Sequence, residues 1–266
     1  MLVLIRGAGD LASGIALRLH RAGFPIVMTE TAQPTTVRRT VAFSDAVPNG
    51  SQTVEGITAL RAETWEEACL YLEKGSIPVL VDPECACREH LRPDVLVDAI
   101  LAKRNLGTAI TDAPVVIGVG PGFTAGVDCH AAVETMRGHT LGRVIYEGSP
   151  LPNTNIPGLI GGFAGERVLR APADGVFVGT RRIGDAVEAG ETVGYVAGEP
   201  VKAMISGMLR GLLADGVPVH KGMKSGDVDP RGKREYCDLA SDKSLAVAGG
   251  VLEAILHFTG GIRDGK

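Results

Sequence analysis

Leu2-Val-Leu-Ile-Arg-Gly-Ala-Gly-Asp-Leu-Ala12 is the stretch that decides the fold. Its first four residues are a continuous apolar run, the signature of a strand buried on both faces. The run ends in Gly7-Ala-Gly9-Asp10-Leu11-Ala12, which fits the pattern G-x-G-x-x-A. Beyond it, Leu11, Ile15, Leu17, Leu19 and Ala22 recur at the three- and four-residue spacings of a helix that covers a sheet. Gly23 and Pro25 close that helix, Ile26-Val-Met28 reads as a second strand, and Glu30 follows 20 residues after Asp10. Strand, glycine loop, helix, strand and acid in that order predict a Rossmann-like unit. Gly7 allows the tight turn, Gly9 lets the backbone approach a pyrophosphate, and Glu30 is placed to accept ribose hydroxyls. The free N–H groups of the helix start would face the anion. Asp10 is the awkward member, because a carboxylate in a phosphate loop repels the ligand unless it caps the helix or meets a metal. Arg38 and Arg39 are candidates for a second anion clamp or for a solvated pair.

Working outward, helix over Trp65–Glu73, strand over Ile77–Val81, and a strand–helix pair over 94–98 and 99–103 continue the α/β alternation. Val115-Val-Ile-Gly118 then leads into Gly118-Val-Gly120-Pro-Gly122-Phe-Thr-Ala-Gly126, a second glycine loop between a strand and a helix-compatible segment. Such a loop presents several N–H groups to an anion. If the segment after it is helical, His130 and Glu134 lie one turn apart on one face. They are the candidate catalytic residues, with Asp128 and His139 as neighbours. The spacing is not that of a recognised zinc motif, so no metal site is assigned.

A Pro-, Asn- and Gly-rich boundary at 149–165 closes a first domain at residues 1–150. After it the chain repeats with an offset of 32: Gly175, Gly179, Gly184, Gly190 and Gly194 recur as Gly207, Gly211, Gly216, Gly222 and Gly226. Short strands with glycine turns at fixed intervals predict a small duplicated β unit over 166–235. It resembles the barrel-sandwich hybrid of biotinyl and lipoyl carriers. The turn Ala197-Gly-Glu-Pro200 has no lysine at its tip, and Lys202 stands in the next strand, so carrier function is not expected. A capped helix over 240–260 is expected to pack back on a domain face. The fold class is therefore α/β: a Rossmann-like N-terminal domain, a duplicated barrel-sandwich hybrid and a C-terminal helix.

Composition agrees with this and narrows the partners. Glycine makes up 36 of 266 residues without a collagen period, so the excess belongs to turns and close backbone approaches. A net charge of −4, with no basic block, disfavours nucleic acid. No apolar run reaches the roughly 18 residues of a membrane span. Met1-Leu-Val-Leu-Ile-Arg lacks a signal peptide's layout, which points to the cytoplasm. Five scattered cysteines exclude a disulfide framework, and the close pair Cys85-Ala-Cys87 has no assigned role.

Taken together, Ile5-Arg-Gly-Ala-Gly-Asp-Leu-Ala-Ser-Gly14, Glu30-Thr-Ala-Gln-Pro34, Arg38-Arg39, the loop Gly118–Gly126 with Asp128 and His130, Glu134-Thr-Met-Arg-Gly-His139 and Lys224-Ser-Gly-Asp-Val-Asp-Pro-Arg231 resemble the YqeB family along essentially the whole chain. Members are accessory proteins of selenium-dependent molybdenum hydroxylases. The resemblance implies a maturation role, with the hydroxylase apoprotein and a small phosphorylated ligand as partners. Its cofactor would be a nucleotide, NAD(P) or a molybdopterin nucleotide, bound at Gly7, Gly9, Asp10, Glu30 and Arg38, with Gly120 and Gly122 completing the pocket. Two other readings stand beside it: an NAD(P)-dependent oxidoreductase using His130 for proton transfer, and a non-catalytic docking module for the hydroxylase. A homo-oligomer is compatible with all three.

Overall fold

Val3–Arg6 (β1) is buried along its whole length, as an apolar run flanked on both sides by parallel strands must be. In a computed structural model describing residues 1–154 and 156–260, the chain divides into two compact units. The first takes residues up to Pro34, Ala42–Asn153 and the chain from Ala240 onward; the second takes Thr35–Val41 and Thr154–Leu239.

In the first unit, β1 is followed by α1 (Asp10–Arg21) and β2 (Ile26–Glu30). The short helix α2 (Ala46–Asn49), the strands β3 (Ser51–Val54) and β4 (Ile57–Ala62), the helix α3 (Trp65–Glu73) and β5 (Ile77–Val81) come next. The short helix α4 (Arg88–Leu91) precedes β6 (Val95–Asp98), β7 (Val115–Val119), β8 (Ala131–Val133) and β9 (Val144–Ile145). They form one nine-stranded sheet in the order β3-β4-β5-β2-β1-β6-β7-β8-β9. All neighbours run parallel except the outer pairs β3–β4 and β8–β9. The connections from β1 leave to one side and those into β6 to the other, so the order reverses between β1 and β6.

Two expected helices are absent. Residues 99–103 cannot be helical because Leu101 and Lys103 both hold left-handed backbone, at φ 62° and 64°. The segment 128–143 instead begins with the buried strand β8 and continues as turns. Three buried apolar residues, Ala131-Ala-Val133, serve a strand as well as a helix, and periodicity alone does not separate the two. The helical layer on that side is supplied from the end of the chain. The helix α5 (Asp242–Thr259) starts at Ser241, whose hydroxyl accepts from the Ser244 N–H, and it lies against α1. Gly14 on α1 makes this possible: a Cβ there would stand 2.6 Å from the Ser244 Cβ.

The second unit holds β10 (Val168–Arg170), β11 (Gly175–Gly179), β12 (Ala186–Val187), β13 (Thr192–Val196), β14 (Glu199–Lys202), β15 (Gly207–Leu212), β16 (Pro218–Val219) and β17 (Lys224–Asp229). They form two four-stranded sheets, β10-β17-β15-β12 and β14-β13-β11-β16. Exchanging each strand with its counterpart about 32 residues away turns one order into the other, so the sequence repeat is a structural repeat. Phe177, Val193, Val196, Leu209, Leu212 and Val228 fill the space between them. The expected first domain included Thr35–Val41, but that strap belongs to the second unit. The Val37 carbonyl accepts from the Leu212 N–H at 2.7 Å, and Arg39 Nε donates to the Leu212 carbonyl at 2.9 Å.

The chain is thus a mixed α/β protein with a large sheet and a C-terminal helix. Among the described residues no helix is long and apolar enough to cross a membrane.

Candidate functional site at the carboxyl ends of β1 and β6

The first glycine loop begins where β1 ends. Gly7, at φ 101°, donates its N–H to the Thr29 carbonyl at 2.9 Å. A Cβ at this position would stand 3.1 Å from the backbone of Ala99 and Ile100, just past β6, so the glycine lets the two strand ends converge. Gly9 is the N-cap of α1, in extended backbone and without a side-chain cap. Asp10 therefore does not cap the helix. It occupies the first helical position, where its charge complements the helix dipole. Ser13 fixes the loop from beneath: its hydroxyl donates to the Ala8 carbonyl at 3.0 Å and accepts from the Phe43 N–H at 2.7 Å. Glu30, the last residue of β2, reaches the loop. Its Oε2 accepts from the Ala8 N–H at 3.0 Å and its Oε1 from the Thr31 N–H at 2.8 Å. Gly7, Gly9, Asp10 and Glu30 are therefore brought together.

Beside them, the last residues of β1 and β6 form a polar cluster that sequence reasoning did not single out. Arg6 is 5% exposed and Asp98 2%. Arg6 Nη1 donates to the Thr108 hydroxyl at 3.0 Å and to the Leu106 carbonyl at 3.2 Å, and lies 3.5 Å from Asp98 Oδ2. The Thr108 hydroxyl in turn donates to Asp98 at 2.6 Å. Burial pushes the Asp98 carboxyl above its ordinary value, and the hydrogen bonds from Thr108 and the Ile100 N–H, with the charge of Arg6, offset only part of that rise. Asn105 builds the turn that delivers Thr108, its side-chain oxygen accepting from the N–H groups of Gly107 and Thr108. A cavity of about 300 Å³ opens here, lined by Arg6, Cys85, Arg88, Thr108 and Asp112 among others. An arginine closing an apolar strand was the available signal, since a charge there needs a buried partner.

The remaining candidates fall elsewhere. His130 and Glu134 are not on a helix; four residues of extended chain separate them by about 13 Å, at opposite ends of β8. His130 Nδ1 accepts from the Val116 N–H at 3.0 Å at the amino end of the sheet, and its ring meets Phe258 edge-on. Glu134 is buried, with its oxygens accepting from the Met136 and Leu151 N–H groups at 2.6 and 2.8 Å. Asp128 accepts from the Thr124 N–H at 2.9 Å, and His139 is exposed. The expected cluster is thus a set of separate structural anchors. Among the described residues no group of three or more His, Cys, Asp or Glu is arranged to hold a metal ion.

The second glycine loop packs on protein. A Cβ on Gly120 would meet the Thr135 hydroxyl at 2.9 Å, and one on Gly122 would meet Arg104 Cα at 2.5 Å. No helix follows it, so it lacks the N-terminal donors that the first loop has. Arg38 belongs to the second unit: buried there, it donates to the Tyr236 and Leu239 carbonyls at 2.9 and 3.0 Å. The charged segment after the barrel is largely internal as well. Asp227 and Asp229 are each 1% exposed and pair with Arg167, Arg210 and Arg231.

No family model matches the chain. It is 52% identical over 255 residues, 96% of its length, to the uncharacterized protein YqeB of Escherichia coli (strain K12), and spans about half (47%) of that protein. Among solved structures, an aspartoacylase family protein from Mesorhizobium loti is 12% identical, with 85% of this chain and 83% of that one covered at a TM-score of 0.25. A succinylglutamate desuccinylase/aspartoacylase from Rhodobacter sphaeroides is 15% identical, with 85% and 86% covered at the same TM-score of 0.25. Likenesses at that score do not define a common fold.

Proposed function

Because the chain belongs to one family with YqeB, across the half of that protein that it spans, we propose that it acts as an accessory protein in the maturation of a selenium-dependent molybdenum hydroxylase. Its first unit serves as a Rossmann-like domain that binds a nucleotide or another pyrophosphate-containing cofactor. The observation that carries this reading is the loop Gly7–Asp10, which opens α1 at the carboxyl end of β1, beside the point where the strand order reverses. Open α/β sheets bind their ligands in that crevice. The donor set fits such a group. Gly9 leaves the first turn of α1 without a side-chain cap, which suits a pyrophosphate. Glu30 stands at the loop edge as an acceptor for hydroxyls. Arg38 and Arg39 are engaged by main-chain carbonyls, which favours a ligand without a 2′-phosphate. The cofactor would supply its own chemistry; the protein's part is to hold the anion at the helix start and the sugar at Glu30.

The docking reading has its own support in the second unit, a barrel-sandwich hybrid without a carrier lysine in this proposal. On one of its sheets Val176, Val178 and Tyr195 are 49%, 51% and 42% exposed, and Val178 is paired with Tyr195. The oxidoreductase reading is weaker, since its proton-transfer residue, His130, sits at the other end of the sheet.

Thermal unfolding with NAD⁺, NADP⁺, CTP and molybdopterin nucleotide tests the proposal. A ligand at 100 times its Kd stabilises by about 2.7 kcal/mol, which raises Tm by roughly 5–10 °C in a unit of this size. Such a rise is expected for at least one non-2′-phosphorylated nucleotide. No rise with any of the four, together with co-purification of the hydroxylase, would leave docking as the function.

A further inference from the structure

The cavity beside Arg6 exposes a second chemistry. After β5 the chain turns through Asp82-Pro-Glu-Cys85-Ala-Cys87. The turn is fixed by Asp82, whose carbonyl accepts from the Cys85 N–H at 3.0 Å and whose carboxylate accepts from the Cys87 N–H at 2.7 Å. Cys85 is held in left-handed backbone at φ 56°, an unfavourable conformation for a side chain with a Cβ. Its residue surface is 2% exposed, yet it lines the cavity of about 300 Å³. The two cysteines are free and belong to one buried cluster. The Thr29 hydroxyl, near the end of β2, is wholly buried and has no hydrogen-bond partner among the described residues.

Those surroundings distinguish the two sulfurs. Donation from the Cys87 thiol lowers the Cys85 thiol below its ordinary value. The charge of Arg6 acts in the same direction, against burial and the Asp82 carboxylate. Cys87 moves the opposite way for the same reason, since its proton is the one shared. Burial pushes the Cys129 thiol up to about 11.

We propose that Cys85 and Cys87 form a dithiol–disulfide centre, with Cys85 as the attacking sulfur and Cys87 as the resolving one, which exchanges with aliphatic disulfides that present their S–S bond at the cavity. The Cys85 thiolate attacks one sulfur of the disulfide RSSR. The S–S bond breaks, one RS⁻ leaves with a proton as RSH, and a Cys85–S–S–R bond forms. Cys87 then gives up its proton and attacks the Cys85 sulfur, releasing the second RSH. Two electrons pass from the cysteine pair to RSSR, which yields two thiols. A disulfide that closes so short a loop is strained and correspondingly easy to reduce, so the centre suits cycling rather than permanent cross-linking.

Oxidised glutathione is the probe. The full chain is incubated with it anaerobically, quenched in acid, alkylated and digested with trypsin, which leaves both cysteines on the peptide 75–88. The expected product is that peptide lighter by two hydrogens, with Cys69, Cys129 and Cys237 still alkylated. Cys87→Ser should stop at a glutathione adduct on Cys85, and Cys85→Ser should leave Cys87 unmodified. Should neither variant fold, the unaltered chain still decides. At pH 7 Cys85 should alkylate about tenfold faster than the better-exposed Cys69. Faster reaction at Cys69, or an adduct that accumulates on any cysteine other than Cys85, would overturn the proposal.

Discussion

The two glycine loops of the first unit read alike in sequence and do different work. Both follow a buried parallel strand and both carry glycines with positive φ: Gly7 in one, Gly120, Gly122 and Gly126 in the other. The first opens a twelve-residue helix whose N-cap has no side chain to spend on the free N–H groups. The second returns to the sheet through β8, and its glycines admit Thr135 and Arg104. Glycine spacing therefore announces close approach without naming what approaches. What separates an anion loop from a packing loop is the element that follows, because only a helix start aligns several unpaired donors.

This contrast is sharpest in the cost of adding a methyl group. Gly122→Ala combines a left-handed backbone at φ 110° with a Cβ placed 2.5 Å from Arg104 Cα. The expected loss is roughly 2–5 kcal/mol, from conformational strain and overpacking against main chain that has little freedom to move. Urea unfolding measures it. A loss below about 1 kcal/mol would mean that the Arg104 segment yields, and the second loop would then have to be reconsidered as a ligand site. Glu134→Ala removes the acceptor of two buried N–H groups and should cost about 2–4 kcal/mol. It should leave any nucleotide-induced rise in Tm unchanged, since Glu134 belongs to the second loop's scaffold. A loss of ligand response with little loss of stability would reverse that assignment.

Much of the first unit was legible because its signals are local. The run Leu2–Ile5, the pattern Gly7-x-Gly9 and Glu30 fall within one strand–helix–strand unit, where order along the chain and position in space coincide. The repeat at an offset of 32 was legible for a related reason: each half carries the same turn chemistry. Illegible were the features set by distant partners. Leu101 and Lys103 take left-handed backbone in a connection whose sequence carries no glycine at either position. Ala131-Ala-Val133 is too short to show a period. Arg38 looks like a free cation until the strap Thr35–Val41 meets Leu212, Tyr236 and Leu239, some two hundred residues later in the chain. His130 and Glu134 were misplaced together, because the helix that would have joined them is a strand.

The first loop should respond in the opposite manner from the second. Gly7→Ala faces main chain at 3.1 Å, a contact relieved by a shift of a few tenths of an ångström, so its cost should be smaller, about 1–3 kcal/mol. That shift moves the strand ends apart at the proposed anion site, and the nucleotide-induced rise in Tm should fall with it. A normal rise in the folded variant would detach the loop from the ligand.

Glu30→Gln makes the smallest change and asks the most specific question. The amide oxygen can still accept from the Ala8 N–H, as the carboxylate does at 3.0 Å, so stability should change by no more than about 1 kcal/mol. A ribose, however, would lose a charged acceptor for its hydroxyls, and a hydrogen bond to a charged group is worth roughly 1.5–3 kcal/mol. The Kd for the nucleotide should therefore rise about tenfold or more, read from the concentration dependence of Tm. If the variant binds as tightly as the parent, Glu30 serves only to hold the loop. The two glycine loops would then differ in the helix they precede and in nothing that recognises a sugar.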